Sequence, residues 1–377
     1  MSRIVSDNKY INRRCFELVF DREAGIDIKA NTYEYREWLL RINKVKLIRR
    51  SEERRYRRKR LTEQINRNKE LNNIDKSDIQ TFTVEPVFSF INNPEETIHF
   101  FNDLLDFICN KSNFGKRIYI DISKVKKLSS DALMYLVAVV RMLKKEYRYK
   151  YEFIGNLPKH SEAKKIFTES GFLRFVKYQG KEIITPNSNT LRIESGQFSR
   201  NDIAKQMTDF VAQKANVDIK YCKFIFVLMT ELMSNTYKHA YSSNDVLVPH
   251  WYCYAKYEDE KISFTFLDTG DGIPTTVKKK FYEKMDVLNI AGDSKYVVSA
   301  LNGDFRTSTN EYYRGKGLPK IRDICSKGKI SNVHIITNGA NVIIGNEDFQ
   351  TQENPVKMKG TVFCWEVDLK KLKEDVA

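Results

Sequence analysis

The sequence predicts an α+β protein: a C-terminal half with helices on one face of a mixed sheet, a smaller α/β unit before it, and a basic helical arm at the start. Three observations carry that expectation. Some windows place apolar residues at helical spacing, and others are short β-branched and aromatic runs. From about residue 80 onward the two kinds of window take turns, as layered architectures require. With 377 residues, 41% hydrophobic and 12% aromatic, the chain exceeds one average domain and has the apolar content to fill real cores.

Residues 1–80 form the arm, where apolar positions are interspersed with many charges and suit solvated helix better than sheet. The formal net charge is +15, and much of it sits in residues 44–60. There Arg49, Arg50, Arg54, Arg55, Arg57, Arg58, Lys59 and Arg60 are opposed by Glu52 and Glu53. Such a field attracts nucleic acid, anionic lipid or acidic protein surfaces without choosing among them. Tyr56 is the one aromatic in the run, too few for a base-stacking platform. A solvated basic helix is the ordinary outcome, and nucleic-acid binding through residues 44–60 is the alternative.

Residues 81–182 read as an α/β unit. TFTVEPVFSF has strand content, and NPEETIHFFNDLLDFICNK is a helix opened by Asn-Pro. RIYIDIS is a short strand, and SSDALMYLVAVVRMLKKEY is a helix that begins with capping residues. YEFIGNLP is a further strand, and SEAKKIFTESGFLRFV is a helix closed by Gly171. A linker near GKEIITPNSNT leads to residues 193–372. Here FSRNDIAKQMTDFVAQKANV and YCKFIFVLMTELMSNTYKHAY are helices, and VPHWYCYAKYE with KISFTFLDTGDGI forms a hairpin around EDEK. A helix at GLPKIRDICSKG and strands at SNVHIITNG, NVIIGNE and GTVFCWEVDL complete the half.

The six cysteines (Cys15, Cys109, Cys222, Cys253, Cys325 and Cys364) stand singly, which argues against structural zinc and for reduced thiols packed as small apolar residues. No window has the ~18 uncharged apolar residues of a membrane span, and no charged-then-apolar leader opens the chain. These features lead to the expectation of a cytoplasmic protein without membrane contact.

The chemistry gathers in the C-terminal half. Glu231, Asn235 and His239 are spaced by four and line one helix face, while Phe226, Leu228, Met229, Leu232 and Met233 line the face that can bury. Alone, such a stripe reads as a surface pair and a solvated amide. The order of the following segments alters that reading. LDTGDGI puts Asp268 at a strand end before Gly270 and Gly272, which let the backbone turn tightly. RGKGLPKI opens a helix with Gly315 and Gly317, whose first-turn amides suit a phosphate. One Gly-x-Gly is weak evidence, but three elements in this order are strong.

ELMSNTYKHA resembles the N box of the GHKL (histidine-kinase-like) superfamily, DTGDGI its G1 box, RGKGLP its G2 box, and Gly360–Thr361 its terminal Gly-Thr element. The likeness spans roughly residues 195–370, and its N box is most similar to that of the anti-sigma-factor serine kinases. The resemblance implies a Bergerat-type sandwich that binds ATP and Mg²⁺ and acts as a regulatory ATPase or serine/threonine protein kinase in signalling. Asn235 would hold Mg²⁺, and Glu231 would orient or deprotonate the attacking hydroxyl or water. Asp268 would accept from the adenine amine, Thr361 would support it, and Gly270, Gly272 and Ile273 would let the base lie against the strand end. Gly315, Lys316, Gly317 and Leu318 would wrap the phosphates, with Arg314 or Lys316 neutralising charge. His239 takes a supporting role. The stretch between the G boxes is expected to be a nucleotide lid from its position. The alternatives are an ATP-gated interaction module without catalysis and an ATPase recruited to nucleic acid by the arm.

RIYIDISKVKKLSSDALMYLVAVVRML resembles a STAS-type domain, the fold of anti-sigma-factor antagonists, which implies a regulatory protein partner or substrate. The phosphorylatable serine of that family matches Ser129 and Ser130. Leu128 and Asp131 depart from its pattern, and helix capping is the plainer explanation of Ser129, Ser130 and Asp131 together.

Overall fold

The computed structural model describes residues 78–376 apart from 148–149, 177–186, 240–249, 281–291, 306–316 and 346–347, together with the isolated residues Arg55 and Thr62. Met1–Lys69 and Glu70–Ala377 are separate compact units. The basic run 44–60 belongs to the first and, Arg55 aside, lies outside the described residues.

In the second unit, TFTVEPVFSF divides at Pro86 into β1 (Ile79–Thr83) and β2 (Val87–Phe88). The strands β3 (Arg117–Asp121) and β5 (Glu152–Gly155) complete a parallel three-stranded sheet in the order β1-β3-β5, while β2 pairs with β4 (Lys127–Leu128). Helix α1 (Pro94–Cys109) starts with Pro at its first position and Glu95 and Glu96 in its first turn, both favourable to its dipole. Helix α2 (Ser130–Lys145) is buried on every side from Asp131 to Val140. A helix apolar all round must lie between two layers. Helix α3 (Ser161–Glu169) ends two residues before Gly171, which takes φ +82° as expected of a helix stop.

The five-stranded sheet runs β6-β7-β8-β10-β9, from β6 (Thr190–Gly196), β7 (Trp251–Glu258), β8 (Lys261–Asp268), β10 (Phe349–Asp368) and β9 (Ser331–Ile344). All four of its pairings are antiparallel, so the expected mixed sheet is corrected: short turns join β7 to β8 and β9 to β10, longer helical connections bring the other neighbours together antiparallel, and the parallel pairs lie in the smaller sheets. Asp259 and Glu260 both take positive φ in the two-residue turn between β7 and β8, the backbone that matches strand twist. SNVHIITNG and NVIIGNE are one strand instead of two, because Asn338 takes φ +51° within β9 without ending it. The last strand begins at Phe349, and register shifts at Glu353/Met358 and Met358/Thr361 let it continue past the expected start at Gly360.

Both faces of this sheet are covered. Trp251, Cys253, Ala255, Phe264, Phe266, Phe363 and Trp365 share a core with α4 (Asn201–Ala215), α5 (Lys223–His239), α8 (Gly317–Ser326) and α9 (Leu369–Glu374). Tyr252, Tyr254, Leu267, Ile336, Val362 and Cys364 share the other core with α1 and α2. The expectation of helices on one face is therefore corrected, because both parities of β7 are apolar and each needs cover. Ser130 Oγ lies 2.7 Å from Thr265 Oγ1, and Asn102 Nδ2 donates to the Lys357 carbonyl at 3.1 Å.

Among the described residues no helix is long and apolar enough to cross a membrane.

Candidate functional site

The chemical residues of the C-terminal half fall into two groups. The first is built by α5 and α8. Phe226, Leu228, Met229, Leu232 and Met233 pack the sheet side of α5, leaving Glu231 and Asn235 only partly buried on the flank that meets α8. Helix α8 begins at Gly317. A β-carbon on Gly317 would stand 3.0 Å from Asn235 Oδ1 and 3.1 Å from Glu231 Oε2, so a larger residue would make both side chains give by a few tenths of an ångström. Lys320, one turn further on, donates to Glu231 Oε1. Its residue type gives no signal in the sequence, since a lysine early in a helix ordinarily points to water.

The second group surrounds Asp268 at the end of β8. The Gly270 amide donates to Asp268 Oδ1 at 2.9 Å, and Thr361, directly opposite in the β8–β10 register, hydrogen-bonds the same carboxyl. The surrounding protein outweighs these bonds, and desolvation pushes the Asp268 carboxyl up to about 6 although part of its surface stays open. Gly360 takes φ +89°, and a β-carbon there would stand 2.2 Å from the Asp268 carbonyl oxygen.

Gly272 turns at φ +87° against Thr337 and Asn338. Helix α6 (Ile273–Lys280) then starts with the Ile273 amide donating to Thr337 Oγ1 at 3.1 Å and the Thr275 amide to Asn338 Oδ1 at 3.2 Å. Thr337 donates to the Gly360 carbonyl at 2.9 Å, so the glycine turn and the Asp268–Thr361 pair share one support. Thr337 and Asn338 were missed in the sequence, where TNGAN reads as a turn.

Ile273 from the second group and Leu318 from the first pack on the same small cluster of Val277, Tyr296, Ala300 and Phe305. Tyr296 and Ala300 belong to α7 (Asp293–Asn302), a helix within the expected lid. Buried Asp293 holds α7 down, pairing with Lys278 at 2.8 Å and Lys357 at 2.9 Å and accepting from the Gly339 amide at 3.0 Å. That part of the stretch is a packed element, and residues 281–291 and 306–316 lie outside the described residues.

Of the expected site residues, Glu231, Asn235 and Gly317 meet, as do Asp268, Gly270, Gly272, Ile273 and Thr361, while Leu318 joins the cluster between the groups. Arg314, Gly315 and Lys316 lie outside the described residues, as does the His239 side chain. The partner of Glu231 is Lys320 on another helix. A groove lined by Asp209, Ala212, Gln213, Asn216, Val217 and Ile219 contains none of these residues.

The donor set suits a nucleotide carried with a hard cation. Asn235 offers an amide oxygen beside the Glu231 carboxylate, and the N-terminus of α8 lies against both. Among the described residues no three His, Cys, Asp or Glu gather to cage a metal, and an ion bound mainly through phosphates and water needs no such cage.

In the middle segment, Ser129 Oγ donates to the Phe88 carbonyl and to Asp131. Asp131 is buried and also accepts from the Phe90 amide at 3.3 Å, so it ties the start of α2 to the turn after β2; the expected capping role is corrected, because Ser129 makes no side-chain cap bond and Ser130 turns to Thr265.

No protein-family model matches the chain, and no curated protein matches it.

Proposed function

We propose that residues 193–372 bind ATP with Mg²⁺ in the manner of the GHKL proteins and serve as a regulatory ATPase or protein serine/threonine kinase. The observation that carries this reading is the approach of Gly317 to both Asn235 and Glu231. It places a helix N-terminus, a hard oxygen donor and a carboxylate side by side, the combination a polyphosphate with its cation needs.

In this reading each residue has a defined task. The Asp268 carboxylate, ionised above about pH 6, accepts from the amine of adenine. The Gly270 amide and Thr361 hold that carboxylate in place. Asn235 Oδ1 ligates the cation, and the first turn of α8 donates to phosphate oxygens. When bound, ATP supplies a transferable γ-phosphoryl group. Glu231 takes the proton of the attacking hydroxyl or water, while Lys320 fixes its orientation. The STAS-like segment supplies a layer against the same sheet and the link to a regulatory protein partner.

A thermal-shift panel of ATP, ADP and GTP with and without Mg²⁺ tests the reading. Selective stabilisation by adenine nucleotides is expected, about 2.7 kcal/mol at a hundredfold excess over Kd. An equal response to GTP, or no response to any of them, removes it. ADP release or phosphoprotein formation from the same protein then separates catalysis from ATP-gated docking.

A further inference from the structure

We infer that Tyr135, on a helix of the middle segment, is a positioning residue for the adenine acceptor Asp268; this rests on the nucleotide-binding reading above. Tyr135 is 1% exposed, and its ring is fixed by Phe101 at 4.6 Å and Phe90 at 5.3 Å between centroids. With the ring held, the hydroxyl has one direction, and it donates to the Lys359 carbonyl at 3.2 Å.

That carbonyl precedes Gly360, whose positive φ and contact with the Asp268 backbone leave no room for a side chain. Thr361 follows and bonds the Asp268 carboxyl. The hydroxyl thus anchors the short segment on which the acceptor leans. Burial and the nearby Asp268 carboxylate both push the Tyr135 phenol above its ordinary value, which puts the two side chains in one electrostatic neighbourhood.

Helix α2 is itself tied to the sheet by the contact of Ser130 with Thr265 and, toward its other end, by Arg141 lying over the Tyr252 ring at 5.5 Å. The middle segment therefore contributes to the nucleotide site from behind. Displacing α2 and weakening adenine recognition are linked events.

The test uses the full chain with Tyr135→Phe, which keeps the ring and removes the hydroxyl. Tyr147→Phe, which removes a hydroxyl facing Cys109 in the same core, serves as control. Amide exchange at Gly360, Thr361 and Gly270 in the nucleotide-free protein is expected to quicken about fivefold in Tyr135→Phe alone, the loss of one buried hydrogen bond. The Kd for ATP is expected to rise by a similar factor with little change for GTP, so adenine preference narrows. A structural role alone would weaken both nucleotides together or act equally in Tyr147→Phe. Unchanged exchange, or an unchanged ATP to GTP ratio in a wild-type chain that binds ATP, overturns the inference. A wild-type chain that binds no nucleotide removes the parent reading and this role with it, whereas quickened exchange would still establish the anchor.

Discussion

Gly317 and Asn235 approach closely enough that a methyl on Gly317 would stand 3.0 Å from Asn235 Oδ1, tighter than an ordinary contact. The contact joins two chain segments that sequence reading connects only through a motif order. It also identifies where the proposed function is most vulnerable.

Gly317→Ala should separate folding from binding. Alanine favours helix by up to about 1 kcal/mol, which offsets part of the crowding, so the ligand-free melting temperature should change little. The stabilisation produced by ATP with Mg²⁺ should fall by roughly tenfold in apparent Kd, because Asn235 and Glu231 must both give way. Wild-type affinity in this variant would show that the contact is unrelated to ligand.

Glu231→Gln preserves shape and hydrogen bonding but cannot take a proton. Turnover is expected to drop about 10²–10⁴-fold with ATP affinity retained. Since the Lys320 partner is about half exposed, the lost ion pair should cost no more than about 1 kcal/mol of stability. Denaturant melts and single-turnover measurements on the same preparation read both quantities.

Asp268 makes a signed pH prediction. Its folded pKa of about 6 lies above the ordinary 3.8, so the folded state holds the proton more tightly than the unfolded chain. The resulting stability is complete below the unfolded value and is lost as pH rises through about 6. Asp268→Asn should therefore be more stable than wild type at pH 7.5, by at most about 3 kcal/mol, with no such gain at pH 3.5. In the wild type, ATP affinity should weaken as pH falls through about 6, since a protonated carboxyl no longer accepts from adenine. Denaturant titrations and binding isotherms across this window check both signs.

Gly360→Ala should be among the most damaging single changes. The residue sits at φ +89°, and the added carbon would lie 2.2 Å from the Asp268 carbonyl oxygen. Backbone strain and the forced shift of the strand end are expected to cost about 2–4 kcal/mol in chemical denaturation. A loss below about 1 kcal/mol would mean that the β8–β10 junction yields easily.

Much of this architecture is legible in the chain because it depends on local periodicity. Helices α1, α4 and α5 and the β7–β8 hairpin follow directly from apolar spacing and turn residues, and the grouping of Asp268, Gly270 and Gly272 follows from their adjacency. Asn338 is harder to read, since an Asn-Gly pair signals a turn wherever the neighbouring strand does not carry the backbone through it.

The sequence alone determined which segments bear chemistry: an acidic and amide stripe on an apolar helix, an aspartate ending a strand, and glycines where backbones turn or touch. Tertiary structure decided the partners. It set Lys320 on Glu231, made the larger sheet antiparallel throughout, and covered its second face with α1 and α2, bringing Tyr135 behind Asp268. The physical reason is that periodicity records whether a residue is buried, whereas the identity of its neighbour depends on which two apolar surfaces, distant in the chain, leave water together.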